Sequence, residues 1–92
     1  MPTIFKIGRY IVYFWTNEGE PLESIHVHIT TGRAVPDATK LWITSKGKVI
    51  LCNNNSAIPE KILGRIIRVL EANVEYIINA WCEYFGEIRY FC

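Results

Sequence analysis

The sequence has little that would indicate an exported, membrane-spanning or disulfide-stabilised protein. Its three cysteines are odd in number and widely spaced, so they predict free thiols in a reducing compartment rather than a disulfide framework. The longest unbroken apolar run, Tyr10–Trp15, is far shorter than the ~20 residues of a transmembrane helix. Pro2 and Lys6 interrupt the apolar run that a signal peptide would need. We therefore expect a cytoplasmic protein with no membrane partner.

An excess of charge of one sign is also absent. Ten Lys and Arg residues stand against nine Asp and Glu residues, which gives a formal net charge of +1. Such a chain has no broad electrostatic field to attract nucleic acid. Half of the residues are apolar, which excludes a disordered chain, and 92 residues are enough for one domain. We expect a single domain over residues 1–92.

The first half of the chain has the patterns of β-strands. Between residues 3 and 52, short segments alternate or are rich in β-branched and aromatic residues, and Gly, Pro, Asn and Ser separate them. The predicted strands are 3–7, 10–15, 24–30, 39–44 and 48–52, with a loop over 17–21. Short connections join neighbouring strands in antiparallel pairs. The pattern predicts an antiparallel sheet of four or five strands.

The second half has helical spacing over about residues 57–86. Ser56 is the expected N-cap, and Gly86 lies where a left-handed C-cap is expected. Apolar residues recur three or four positions apart on one stripe: Ile62, Ile66, Leu70, Val74, Ile77, Trp81 and Tyr84. The segment is longer than an average helix, and a break near Asn73 would divide it. The pattern therefore fits either one long helix or a helix pair. The tail, 87–92, either docks on the domain or forms a small strand.

Together these elements predict an α+β fold, in which the sheet packs on a long C-terminal helix or helix pair. The second strand is apolar on both faces, with Tyr13 and Trp15 on one face and Val12 and Phe14 on the other. One helical layer covers one face of a sheet. The remaining face is covered either by the chain itself or by a protein partner or second copy.

His26 and His28 are the residues that best suggest chemistry. Residues two apart in a strand project to the same side, so the two rings could share a zinc ion. The third ligand would then be Cys82, Glu83 or Asp37. The same pair could act as a base and an acid side by side, because one neutral and one charged imidazole can coexist near pH 7. Two partly exposed histidines on the polar face of a sheet are the third interpretation.

Positive charge near the histidines suggests how RNA could be bound. In a reaction that cleaves RNA, His26 and His28 would move protons, and Arg9 or Lys40 would stabilise the phosphate charge. Lys40 also lies two residues from Trp42, and a lysine beside an aromatic ring can hold a single-stranded nucleic acid. An ordinary charged strand face explains the same residues.

Several motifs occur in one order along the chain: Pro2–Ile7, Asn17-Glu18, His26–Ile29, Lys40, Trp42 and Trp81–Gly86. In this order and spacing the chain resembles, over residues 2–86, a bacterial family of small proteins classed as domain of unknown function 4160. Members are typically encoded beside another small domain of unknown function, an arrangement similar to a toxin–antitoxin pair. The resemblance implies a small cytoplasmic protein that has a protein partner, and it supplies no reaction.

The chain departs from the family pattern at three places. Ser24 and Ile25 precede the histidines where the family usually has two prolines, and Cys82 stands where the family often has histidine. A cysteine could replace a histidine as a metal ligand, but it would be a poor substitute for a general base. The tail, 87–92, extends past the usual end of the family.

Three functions remain open at this stage. The first is a toxin-like component of a two-gene module that acts on RNA. The second is a non-catalytic module for protein interaction or dimerisation. The third is a metal-binding protein that uses His26 and His28; zinc would serve, although the sequence requires no cofactor.

Overall fold

The structure, a computed structural model, describes residues 3–16 and 21–92. The described elements, in chain order, are β1 (Thr3–Ile7), β2 (Tyr10–Tyr13), β3 (His26–Thr31), β4 (Thr39–Ile43), β5 (Val49–Asn53), α1 (Glu60–Ala72) and α2 (Val74–Phe85). The strands form one sheet in the order β1-β2-β3-β4-β5, and every neighbouring pair is antiparallel. The predicted α+β fold is confirmed, with five strands and a helix pair. Most of the loop predicted over 17–21, and the motif Asn17-Glu18 within it, lie outside the described residues.

The turn between β4 and β5 shows how the sequence produces tight antiparallel connections. The hydroxyl of Thr44 accepts hydrogen bonds from the backbone N–H groups of Lys46 and Lys48, at 3.3 and 3.0 Å. Gly47 has a φ of 79°, a left-handed conformation that residues with a Cβ rarely adopt. The turn therefore depends on the hydroxyl of Thr44 and on the missing side chain of Gly47, and it places β5 at one edge of the sheet.

Asn73 divides the helical region into two helices. Its side-chain amide donates to the carbonyl of Val69 at 2.7 Å, and its backbone N–H donates to the carbonyl of Leu70 at 3.0 Å. These bonds end α1, and α2 begins at the next residue. Gly86 ends α2 with a φ of 82°, which confirms the predicted left-handed C-cap. Neither helix combines the length and the apolar character that crossing a membrane requires.

The predicted N-cap at Ser56 is wrong. The first helix begins at Glu60 and is preceded by Pro59, which makes no side-chain capping bond. The hydroxyl of Ser56 instead donates to the carbonyl of Ile29 at 3.0 Å and accepts from the N–H of Thr39 at 3.2 Å. Ser56 therefore joins the segment after β5 to two strands of the sheet, a contact between distant positions that local helix rules do not include.

The main core lies between one face of the sheet and the two helices. Five helical side chains are buried in it: Leu63, Ile66, Leu70, Ile77 and Trp81. The predicted stripe missed Leu63 and wrongly included Tyr84, which is 54% exposed. Phe85 packs against the core instead, four residues after Trp81. The break at Asn73 lets each helix turn its own apolar side to the sheet, so one continuous stripe is only approximately correct.

The second face of the sheet is covered by the chain itself. Tyr13 is fully buried there, and its hydroxyl donates to the carbonyl of Val35 at 2.6 Å and accepts from the N–H of Val35 at 3.1 Å. The tail docks on the domain, because the carbonyl of Arg89 accepts from the N–H of Ile25 at 2.8 Å and the carbonyl of Cys92 accepts from the N–H of Ser45 at 2.9 Å; residues 87–92 form no strand. The loop that carries Val35 thus covers Tyr13, and the tail covers Trp42 on the same face, where Phe91 stacks on its ring at 4.8 Å.

Candidate functional site

Both histidines of β3 are buried on the second face of the sheet. His26 is 0% exposed and His28 is 5% exposed. The two rings meet edge to face, with their centroids 5.1 Å apart. The strand places them side by side, as the alternation predicts, but the interpretation as exposed surface histidines is wrong. The loops before β3 and before β4 supply their hydrogen-bond partners, and the rings of Trp42 and of Trp81 in α2 pack against His26 at centroid distances of 5.7 and 5.5 Å.

His26 is engaged at both ring nitrogens. Nδ1 lies 2.9 Å from the carbonyl oxygen of Ser24, and Nε2 lies 3.0 Å from the carbonyl oxygen of Trp15. A neutral imidazole carries one N–H, so it donates to one of these two carbonyls. Burial lowers the pKa of His26, although the two carbonyl oxygens oppose this effect by favouring the charged ring. The geometry therefore favours a structural role, in which His26 connects Trp15 with Ser24.

His28 has a different arrangement. Its Nδ1 lies 3.3 Å from the carbonyl oxygen of Ala38, which can only accept, so Nδ1 carries the proton of the neutral ring. Its Nε2 makes no hydrogen bond within the described part of the chain, and the ring stacks on Tyr13 at a centroid distance of 5.7 Å. Burial, together with the neighbouring ring of His26, lowers the pKa of His28 to about 4. At pH 7 the ring is neutral, and Nε2 is an available base.

His28 forms part of the wall of a polar pocket of about 360 Å³, which we call the His28 pocket. The other residues that line it are Trp15, Thr16, Glu23, Pro36, Asp37, Ala38, Lys40, Asn53 and Asn55. Lys40 Nζ donates to Glu23 Oε1 at 2.9 Å. Burial would raise the pKa of Glu23, but Lys40 and the two histidines outweigh burial and hold this pKa below its ordinary value. The pocket thus contains a neutral base and an ion pair.

The structure separates the candidate metal ligands that the sequence suggested. Asp37 lines the His28 pocket, whereas Cys82 and Glu83 lie on α2, and Glu83 lines a groove beside Thr3. Among residues 3–16 and 21–92, no three His, Cys, Asp or Glu side chains are placed to hold a metal ion together. A carbonyl oxygen lies within 3.0 Å of each ring nitrogen of His26 and takes the position that a zinc ion bound to that nitrogen would need. The described residues therefore do not fit the zinc site.

The cationic residues are also divided. Lys40 lies at the His28 pocket, but Arg9 lies at the turn after β1 and lines a separate groove with Arg65. The ring of Trp42 is covered, because Lys40 Nζ is 4.4 Å from its centroid and Phe91 of the tail stacks on it at 4.8 Å. Trp42 therefore does not offer a free ring for a nucleic-acid base.

Several pocket residues were not predicted from the sequence. Asn53 pairs with Lys40 across β4 and β5, and Trp15 reaches the pocket through the carbonyl contact with His26. The cluster of asparagines at the end of the last strand was a visible signal for Asn53 and Asn55, since that strand pairs with the one that carries Lys40. No such signal was present for Trp15, because Trp15 lies after the end of β2, where no strand pairing fixes its position.

Acidification is expected to destabilise the protein through His28. Its pKa is about 4 in the folded state and about 6.5 in the unfolded chain, so the unfolded chain binds the proton more tightly. The contribution is complete above pH 6.5 and is lost as the pH falls towards 4. His28 alone should lower the free energy of unfolding by about 3 kcal/mol between pH 7 and pH 4. The lowered pKa of His26 acts with the same sign.

Urea unfolding of the wild type and of His28→Asn at pH 7 and pH 4 measures this contribution. The loss on acidification should be smaller in the variant by about 3 kcal/mol, because asparagine does not titrate. An equal loss in both proteins would show that His28 is not held neutral by the fold.

Comparison with known proteins gives a family match. The model of a family described as domain of unknown function (DUF4160) matches residues 10–82. This range contains β2 to β5, α1 and most of α2, and it includes every residue named above as lining the His28 pocket. No curated protein and no solved structure matches the chain. With the match extending over well more than half of its length, the chain belongs to the DUF4160 family.

Proposed function

We propose that the protein is a toxin-like component of a two-gene bacterial module, that it acts on RNA in the cytoplasm, and that His28 is its proton-transfer group. The observation that carries the proposal is the orientation of His28. Its Nδ1 is held by the carbonyl of Ala38, and its Nε2, at the wall of a polar pocket, makes no hydrogen bond to residues 3–16 or 21–92. The module and its protein partner are what the family resemblance implies.

In RNA cleavage, one neutral imidazole can act first as the base and then as the acid. Nε2 of His28 would take the proton of a ribose 2′-hydroxyl while the 2′-oxygen forms a bond to phosphorus and the bond from phosphorus to the 5′-oxygen breaks. The protonated ring would then return the proton to the leaving 5′-oxygen. With a pKa of about 4, the ring is in its base form at pH 7, and an anionic phosphate bound beside it would raise this pKa towards the operating pH, where general-base catalysis is most efficient.

Lys40 and His26 have supporting roles in this proposal. Of the described residues that line the pocket, Lys40 alone is cationic, and its ammonium group would leave Glu23 and neutralise charge on the phosphate. His26 would act as a positioning residue, because its contacts with Trp15 and Ser24 hold the segments on both sides of the loop that carries Glu23.

The charge of the pocket favours a second candidate, the non-catalytic interaction module. Glu23 and Asp37 together carry one more negative charge than Lys40 balances, and His28 is neutral. Such a wall attracts a cation more readily than it attracts a phosphate. In this candidate a basic side chain of a protein partner would enter the pocket, and His28 would transfer no proton.

Induced expression in a bacterial host tests the proposal. Growth and the integrity of total RNA would be followed for cells that carry the wild-type gene and for cells that carry the empty vector. We expect growth arrest with shortened RNA, and relief of both when the neighbouring gene is expressed. Normal growth at high expression would contradict the toxin-like role. Arrest with intact RNA would contradict the RNA target and favour the interaction module.

A further inference from the structure

A second groove, of about 370 Å³, lies between the turn after β1 and the first half of α1. We call it the arginine groove, and it is lined mainly by Ile7, Arg9, Tyr10, Ile62, Arg65 and Ile66. The described residues that line it are all different from those that line the His28 pocket. A molecule bound in the arginine groove would therefore leave the His28 pocket open.

Two cations border this groove, and in the part of the chain that the structure describes no carboxylate pairs with either. Arg9 and Arg65 are both exposed, and neither forms a salt bridge within residues 3–16 and 21–92. Among the described residues, none of those that line the groove is an aspartate or a glutamate. A guanidinium group binds a carboxylate through two parallel hydrogen bonds, which makes exposed arginines well suited to acidic partners. The charge of the groove thus favours an anionic occupant.

The apolar surface of the groove defines that occupant further. Ile7 and Ile62 are half-buried, while Ile66 is 1% exposed and continues into the core. Nucleic-acid bases bind by stacking on aromatic rings, but Tyr10 is only 9% exposed and the guanidinium of Arg9 lies over its ring at 5.9 Å. The groove instead combines aliphatic side chains with two guanidinium groups. Such a surface suits an occupant that has an aliphatic side chain flanked by carboxylates. The surface therefore favours an acidic peptide over RNA.

We propose that the arginine groove docks the protein partner of this chain through a segment in which aspartate or glutamate flanks leucine-like side chains. The proposal rests on the proposed function only in requiring that a protein partner exists. It places the partner on a surface separate from the His28 pocket. The partner would then act on the chain without filling that pocket.

An NMR titration with defined peptides tests the docking. The probes are acetyl-Asp-Leu-Leu-Asp-amide and the matched uncharged peptide acetyl-Asn-Leu-Leu-Asn-amide. We expect the acidic peptide to shift the backbone signals of Arg9 and Tyr10 and the methyl signals of Ile62, and to bind at least roughly tenfold more tightly than the uncharged peptide. Equal binding of the two peptides, or shifts confined to other residues, would overturn the proposal.

Charge reversal supplies the matched variants. The double variant Arg9→Glu with Arg65→Glu should lose the peptide-induced shifts, whereas Arg33→Glu, an exposed arginine outside the groove, should keep them. Retained binding in the double variant would contradict the role of the two arginines. Shifts of the same residues by a short oligouridylate in place of the peptide would assign the groove to RNA and overturn the proposal. The titration requires no activity, so its failure and the failure of the growth experiment are distinguishable.

Discussion

Replacing Leu70 with alanine is expected to lower the free energy of unfolding by about 2–5 kcal/mol. Leu70 is fully buried in the last turn of α1, in the core shared by the helices and the sheet. Removing three carbons from this position leaves a cavity that the packed side chains fill only in part. Urea denaturation followed by circular dichroism would measure the loss.

Val69→Ala is the matched control for this substitution. Val69 precedes Leu70 in the same helical turn but is 38% exposed. Its replacement should change stability by less than about 1 kcal/mol. If the unfolding curve of Leu70→Ala overlays that of the wild type, the face of α1 assigned to the core is wrong.

His28→Asn is expected to abolish the growth arrest and to reduce the rate of RNA cleavage by roughly 100-fold or more. The amide group of asparagine can reach the position of Nδ1 and still donate to the carbonyl of Ala38, but it provides nothing at the position of Nε2. The variant thus removes the base and keeps the hydrogen bond that anchors the side chain. Growth and RNA integrity would be scored beside the thermal unfolding of the purified variant.

His26→Asn is the comparison that separates the two histidines. Asparagine at this position can keep the contact with Ser24 but loses the contact with Trp15, so the variant should be less stable, and its folded fraction should lose much less activity than His28→Asn does. A folded His28→Asn variant that arrests growth as the wild type does would remove His28 from the reaction. The pocket would then act by binding alone.

The sequence predicted the architecture because its elements follow local rules. Strand alternation identifies Val27 as a core residue between two histidines, and helical spacing identifies Ile66 and Leu70. Gly86 ends the helical region as expected, because glycine readily adopts the left-handed conformation found there. The short turns between strands predicted that each strand pairs with the next one in an antiparallel sheet.

The surroundings of the histidines could not be predicted in the same way. The loop that supplies Val35 and Ala38 has no periodic pattern, and the tail that supplies Phe91 meets Trp42 across 49 positions of sequence. Their contacts depend on the whole fold, and these contacts turn a face that looks polar into a buried one. Arg9 illustrates the same limit, since the turn after β1 carries it away from the His28 pocket to the arginine groove.

Nitrogen-15 NMR of the two histidine rings between pH 3 and pH 8 tests most directly whether His28 presents a free base to the pocket. At pH 7 we expect the proton of His28 on Nδ1 and none on Nε2, with protonation of the ring centred at about pH 4. The His28→Asn variant would assign the signals. A ring that carries its proton on Nε2, or that titrates at about pH 6.5 as an exposed histidine does, would contradict the account.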